Sequence, residues 1–150
     1  MDATKVMSVE VVTVPPELSL EAAHRMMHHR AIRHLPVVAA GRLVGMVSDR
    51  DVLLAIGRNK EGAYVYPKVT VGEVMSLSPI SAGPSVSVGE LAALMVDEKL
   101  DALPIVSDGD VLVGMVTSSD VLRMVTAWFP KETVPLAFQI RPISELQARA

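Results

Sequence analysis

Apolar and polar positions along the chain switch between a strand-like and a helix-like rhythm, and they do so twice. Thr4 to Ser8 reads as a short helical turn, and the β-branched run Val9 to Val14 as a strand ended by Pro15-Pro16. Ser19 is placed as a helix N-cap, and Ala22, Ala23, Met26 and Met27 form an apolar stripe at helical spacing, predicting a helix that ends near Arg30 to Arg33. His34 to Ala39 and Arg42 to Ser48 read as strands around an Ala40-Gly41 turn, a β-hairpin. Asp49 to Arg58 follows as a second helix, with Val52, Leu53 and Ile56 on one face.

The same order returns in the second half. Thr70 to Ser76 is an entry turn and Pro79 to Ala82 a short strand. Ser87-Val88-Gly89-Glu90 has the pattern of a capping box and opens a helix through Leu91, Leu94 and Met95. Ala102 to Val106 and Val111 to Thr117 form a hairpin, and Ser118 to Ala127 is the last helix. Aligning Val6-Met7-Ser8 with Val74-Met75-Ser76 pairs Pro16 with Pro84, Ser19 with Ser87 and Leu35-Pro36 with Leu103-Pro104. After one inserted residue at the hairpin turn, Gly45-Met46-Val47 matches Gly114-Met115-Val116 and Asp51-Val52-Leu53 matches Asp120-Val121-Leu122. This is a duplicated unit. The organisation expected is a first repeat over 1–58, a linker over 59–69 with Tyr64-Val65-Tyr66 as a packing point, a second repeat over 70–127 and a tail over 128–150. In the tail, Val134 to Ile140 reads as a strand and Ile143 to Ala150 as a short helix, folded over its own domain or reaching a second subunit. The fold class expected is α+β, with two β-α-β-β-α repeats.

Composition narrows the function. Half of the 150 residues are apolar, with nine methionines and 3% aromatics, so the core is aliphatic and adaptable. Such hydrophobicity in a small chain points to a buried subunit interface. A net charge of −3 with no basic tract argues against nucleic acid. The chain has no cysteine, no signal-peptide pattern and no apolar run near the roughly 18 residues of a membrane span. A cytoplasmic protein, not bound to a membrane, is expected.

The repeated chemistry is a hydroxyl followed three residues later by an acid, Ser48-x-x-Asp51 and Thr117-x-x-Asp120. One explanation is purely structural: both fit a capping box, and an acid in the first turn complements the helix dipole. The other is functional. A helix start presents free N–H groups to phosphate, and a carboxylate one turn in is able to accept both hydroxyls of a ribose. Spacing does not separate the two.

Arg33-His34-Leu35-Pro36-Val37-Val38 leading to Gly45-Met46-Val47-Ser48-Asp49-Arg50-Asp51, with its second copy from Asp101-Ala102-Leu103-Pro104 to Thr117-Ser118-Ser119-Asp120, resembles a tandem pair of CBS (cystathionine β-synthase) domains, a Bateman module. Pro16-x-x-Ser19 and Pro84-x-x-Ser87 fit as well, and the resemblance covers residues 4 to about 127. It implies two repeats packed with pseudo-twofold symmetry and two clefts between them, a disc-shaped homodimer through the helices of the repeats, and a sensor that regulates a fused or separate protein rather than a catalyst. The ligands it implies are AMP, ADP, ATP or S-adenosylmethionine, with the aspartate on the ribose. On that resemblance, Ser48 and Asp51 are completed by Ser81, Pro84 and Leu100 from the other repeat, and Thr117 and Asp120 by Thr13, Pro16 and Ile32.

Charge separates the clefts. Arg33 and His34 stand beside the first, and Arg50 lies where the second motif has Ser119. At the position of Arg33 the second repeat has Asp101. The Asp51 cleft is therefore expected to take the more phosphorylated ligand, and the Asp120 cleft one with fewer phosphates or none. His24 and His28 share a helix face at the spacing of a zinc pair. A pair of histidines alone is too few ligands, so metal is disfavoured, and His24, Arg25, His29 and Arg30 read as a solvated basic face. No catalytic motif is present, and an enzyme is not expected. Two alternatives stay open: a ligand-free dimerisation scaffold, and a regulator that binds a metal or protein through the His-rich helix or the tail.

Overall fold

A computed structural model describes residues 1–128. A 3-10 turn over Ala3–Lys5 leads through an extended segment to α1 (Leu20–Arg30), the hairpin β1 (His34–Ala39) and β2 (Arg42–Ser48), and α2 (Asp49–Ala55). A small hairpin, β3 (Gly57–Arg58) and β4 (Tyr64–Val65), precedes α3 (Val71–Val74) and β5 (Ser76–Leu77). The second repeat closes with α4 (Val88–Asp97), β6 (Ala102–Ser107), β7 (Val111–Thr117) and α5 (Ser118–Trp128). The α+β class and the twofold repeat of hairpin and helices are as expected. Both hairpins even carry a register shift at the same place, between Val37 and Val38 and between Ile105 and Val106.

Three expected elements differ. Val9 to Val14 forms no strand: of these residues only Val14 makes a bridge, to Val37, while Ser8 just before them bridges Met115; likewise only Ala82 of the Pro79 to Ala82 stretch makes a bridge, to Ile105. The residues between are stretched from one repeat to the other and have no neighbouring strand. The helix expected over Asp49 to Arg58 ends at Ala55, because Ile56 is extended (φ −84°, ψ 151°) and Gly57–Arg58 pairs with Tyr64–Val65. The expected tail strand and helix lie outside the described residues.

The two cores exchange their entry turns. Val71 of α3 is fully buried among Leu20, Met27, Leu35 and Val52 of the first repeat, with Val69, Val74 and Met75 packed alongside. Ala3, Val6 and Met7 do the same in the second core, against Leu91, Leu103 and Val116. The backbone bonds match: Val71 N–H donates to Leu18 C=O at 2.8 Å and Ala3 N–H to Val86 C=O at 2.8 Å. Each repeat thus borrows its first turn from the segment that begins the other. Gly45 and Gly114 make room for this crossing, since a β-carbon at Gly45 would overlap the Met75 Sδ and one at Gly114 would stand 2.5 Å from the Met7 Sδ.

Candidate functional site

Crossing the entry segments creates two clefts between the repeats. The first has a volume of about 440 Å³ and is lined by Ser48, Arg50 and Asp51 from the turn into α2, by Ser76 to Ile80, and by Lys99 to Ala102. The second, about 300 Å³, is lined by Thr117, Ser119 and Asp120, by Ser8, Glu10, Val11 and Val12, and by Ala31 to His34. Both fall within the size range of small-molecule sites, ~300–1,000 Å³.

The hydroxyl–acid pairs are well-formed capping boxes that use half of each carboxylate. Asp51 Oδ2 accepts from Ser48 N–H at 2.8 Å and from Ser48 Oγ at 2.7 Å, while Asp51 N–H donates to Ser48 Oγ at 3.2 Å. Asp120 Oδ2 accepts from Thr117 N–H at 2.8 Å and Thr117 Oγ1 at 2.6 Å. The second oxygens diverge. Asp120 Oδ1 accepts from Arg123 Nη1 at 2.9 Å. Asp51 Oδ1 accepts no hydrogen bond among the described residues.

Of the residues expected at the first cleft, Ser48, Arg50, Asp51, Arg33, His34 and Leu100 line it; Ser81 and Pro84 do not. At the second, Thr117, Ser119, Asp120, Asp101 and Ile32 line it; Thr13 and Pro16 do not. The reason is register. Ala82 N–H donates to Pro104 C=O and Val14 N–H to Pro36 C=O, each at 3.1 Å, which ties both segments to their own hairpins just past the clefts. Pro16 is further occupied by α3, its carbonyl accepting from Gly72 N–H at 2.9 Å. The walls are supplied instead by the preceding residues, Ser78, Pro79 and Ile80 in one cleft and Glu10, Val11 and Val12 in the other. Lys99 and Arg123 were also not anticipated. Lys99 follows α4 in a left-handed conformation (φ 56°), as Ala31 (φ 53°) follows α1, and this helix-ending geometry brings it to the cleft rim.

Two histidine assignments change. His34 is half-buried, and that burial pushes its ring pKa below 6.5, with Asp49 pulling the other way. Burial therefore disfavours the charged form of this ring. His24 belongs to no solvated face: it is 3% exposed. Linker residue Tyr66 covers it, with Tyr66 Oη 2.7 Å from His24 Nδ1, and His28 Nε2 lies 3.2 Å from His24 Nε2. Desolvation lowers the His24 pKa, and neighbouring His28 adds to the effect. Among the described residues no group of three or more His, Asp or Glu side chains is placed to hold a metal ion. No helix among them is long and apolar enough to cross a membrane.

Known proteins carry the same architecture. The family model of the CBS domain matches residues 3–58 and 71–127, so the chain belongs to the CBS-domain family and is a CBS-domain pair. It is 36% identical over 128 residues to the inosine-5'-monophosphate dehydrogenase of Korarchaeum cryptofilum, covering 85% of this chain but only 24% of the dehydrogenase. It is 34% identical over 116 residues to the CBS domain-containing protein YhcV of Bacillus subtilis, covering 77% of this chain and 79% of YhcV. The crystal structure of the CBS domain pair of protein MJ0100, in complex with 5'-methylthioadenosine and S-adenosyl-L-methionine, superposes with a TM-score of 0.74 at 26% identity, over 86% of this chain and 98% of that one. The chain thus spans about a quarter of the dehydrogenase, and what it shares with that enzyme is a regulatory module, not a catalytic domain.

Proposed function

We propose that this CBS pair binds adenosine-containing ligands, AMP, ADP, ATP or S-adenosylmethionine, in its two clefts and passes their occupancy to a regulated protein. The observation that carries this is the division of labour on Asp51. One oxygen completes the helix cap, and the other stands in the cleft with no partner among the described residues. A carboxylate oxygen so placed suits the vicinal hydroxyls of a ribose. Leu77 and Ile80, exposed apolar residues on the facing wall, suit a purine ring. The bound ligands of the MJ0100 pair support the adenosine class.

Charge assigns the ligands. The Asp51 cleft gathers Arg33, Arg50 and Lys99 against Asp49, Asp51 and Asp101, which suits the more phosphorylated nucleotide. The Asp120 cleft has Arg33 and Arg123 against Glu10, Asp101 and Asp120, with Arg123 already paired, which suits AMP or an unphosphorylated adenosine compound. Ligand bridges the repeats and favours one of two relative arrangements, the difference in affinity setting the shift. Leu53 and Leu54 of α2 and Leu122 and Trp128 of α5 are exposed apolar residues on corresponding helices, which supports a homodimer through these helices. A cytoplasmic location goes with this reading, since adenine nucleotides and S-adenosylmethionine are cytoplasmic metabolites.

A thermal-shift panel of AMP, ADP, ATP, NAD and S-adenosylmethionine tests the proposal. A ligand at 100 times its Kd adds about 2.7 kcal/mol of stability. Asp51→Ala and Asp120→Ala each cost about 1 kcal/mol as lost caps and each remove binding at one cleft, at least about tenfold for a lost charged hydrogen bond. If no adenosine compound moves the melting curve, or both variants bind like the parent, the aspartates are caps and the clefts a scaffold.

A further inference from the structure

The two clefts share a wall. Arg33, His34 and Asp101 line both, because each stands where its repeat passes from helix to hairpin at the boundary between them. The backbone there is fixed by equivalent bonds: Asp49 N–H donates to Arg33 C=O at 2.9 Å, and Ser118 N–H to Asp101 C=O at 3.0 Å. Of the three residues Arg33 alone carries a permanent positive charge, since Asp101 is an acid and burial disfavours the charged form of the His34 ring. Among the described residues the exposed Arg33 guanidinium forms no ion pair, whereas Arg123 is committed to Asp120. The uncommitted cation of the second cleft is therefore one that the first cleft also uses.

We propose that Arg33 is a single phosphate-binding residue shared by the two clefts, so that an anionic ligand in one weakens an anionic ligand in the other. This rests on the clefts binding adenosine ligands. Once a phosphate in one cleft has neutralised the guanidinium, a phosphate on the other side of the boundary meets no net positive charge there and is repelled by the first. Coupling of this kind is reciprocal, and a ligand without phosphate makes no claim on Arg33 and escapes it. The Asp51 cleft retains Arg50 and Lys99 and fills first with a phosphorylated ligand, leaving the Asp120 cleft to unphosphorylated ones.

Calorimetric titration with ADP and with adenosine tests this on the parent chain, Asp51→Asn, Arg33→Gln and the double variant. Asn at position 51 keeps an oxygen for the Ser48 N–H, and Arg33 is exposed, so both substitutions spare the fold. With the first cleft filled, ADP binds the Asp120 cleft about tenfold more weakly than in Asp51→Asn, a coupling within the ordinary range. Adenosine shows no such gap. In the Arg33→Gln background the ADP gap closes. An ADP gap that survives Arg33→Gln, an equal gap for adenosine, or no gap in the parent overturns the shared arginine while leaving two ligand sites intact. A parent chain that binds neither compound overturns both this proposal and the ligand-binding reading beneath it.

Discussion

The two clefts are built from the same parts and are chemically unequal. Each has a hydroxyl–acid cap, an extended wall borrowed from a crossing segment and a rim at the end of a helix. In one, the acid keeps an oxygen in reserve; in the other, Arg123 takes that oxygen. One wall presents Ser78, Pro79 and Ile80, the other Glu10, Val11 and Val12. Duplication supplies a frame that backbone hydrogen bonds and apolar packing hold constant, and side chains that face neither are free to diverge. The contrast also shows that capping and ligand binding need not compete. A carboxylate has two oxygens, and a capping box uses one.

The largest expected effect tests the shared frame. Gly45→Ala and Gly114→Ala each place a β-carbon against a methionine sulfur of the crossing segment. Each is expected to cost about 1–3 kcal/mol, as overpacking does, with partial relief from Met75→Ala or Met7→Ala respectively. Urea denaturation measures this. Similar costs at both sites confirm the equivalence of the crossings, and a cost at only one breaks it.

A smaller effect tests the divergence. Arg123→Ala frees Asp120 Oδ1 and makes the second cleft resemble the first. Adenosine affinity there is expected to rise by less than about tenfold, with stability changed by under about 1 kcal/mol because the pair is at the surface. Unchanged or weaker adenosine binding shows that Arg123 does not compete with the ribose.

The last concerns the histidines, which have no counterparts in the second repeat. His24 and His34 both have folded-state pKa values below 6.5. The unfolded chain then binds more protons in the interval below pH 6.5, so stability falls as pH drops through that interval and is fully present above it. Denaturation midpoints between pH 5 and 7.5 are expected to show this decline, flattened in His24→Gln and His34→Gln.

Much of this was legible in the residues. The periodicity placed β1, β2 and β7 at their observed bounds, because a hairpin strand is specified by its own alternation and turn. Ser19 and Ser87 marked the starts of α1 and α4 because an N-cap is a local bond. Asp51 and Asp120 stood out because they recur in the same local frame. Ser81, Pro84, Thr13 and Pro16 were misplaced at the cleft walls because an extended segment carries no periodic signal of its register, and one or two residues decide which side chains reach the cleft. The sequence around His24 reads as solvated because the residue that buries it, Tyr66, lies 42 positions away.

The duplication, the order of the elements and the two acid-capped helices are written in the residues, because all are properties of short-range bonding and spacing. The exchange of entry turns between the cores, the walls of each cleft and the position of Arg33 on the boundary of both emerge only in the folded molecule. Those depend on where apolar surface is buried between segments far apart in the chain, a free energy to which no local pattern has access.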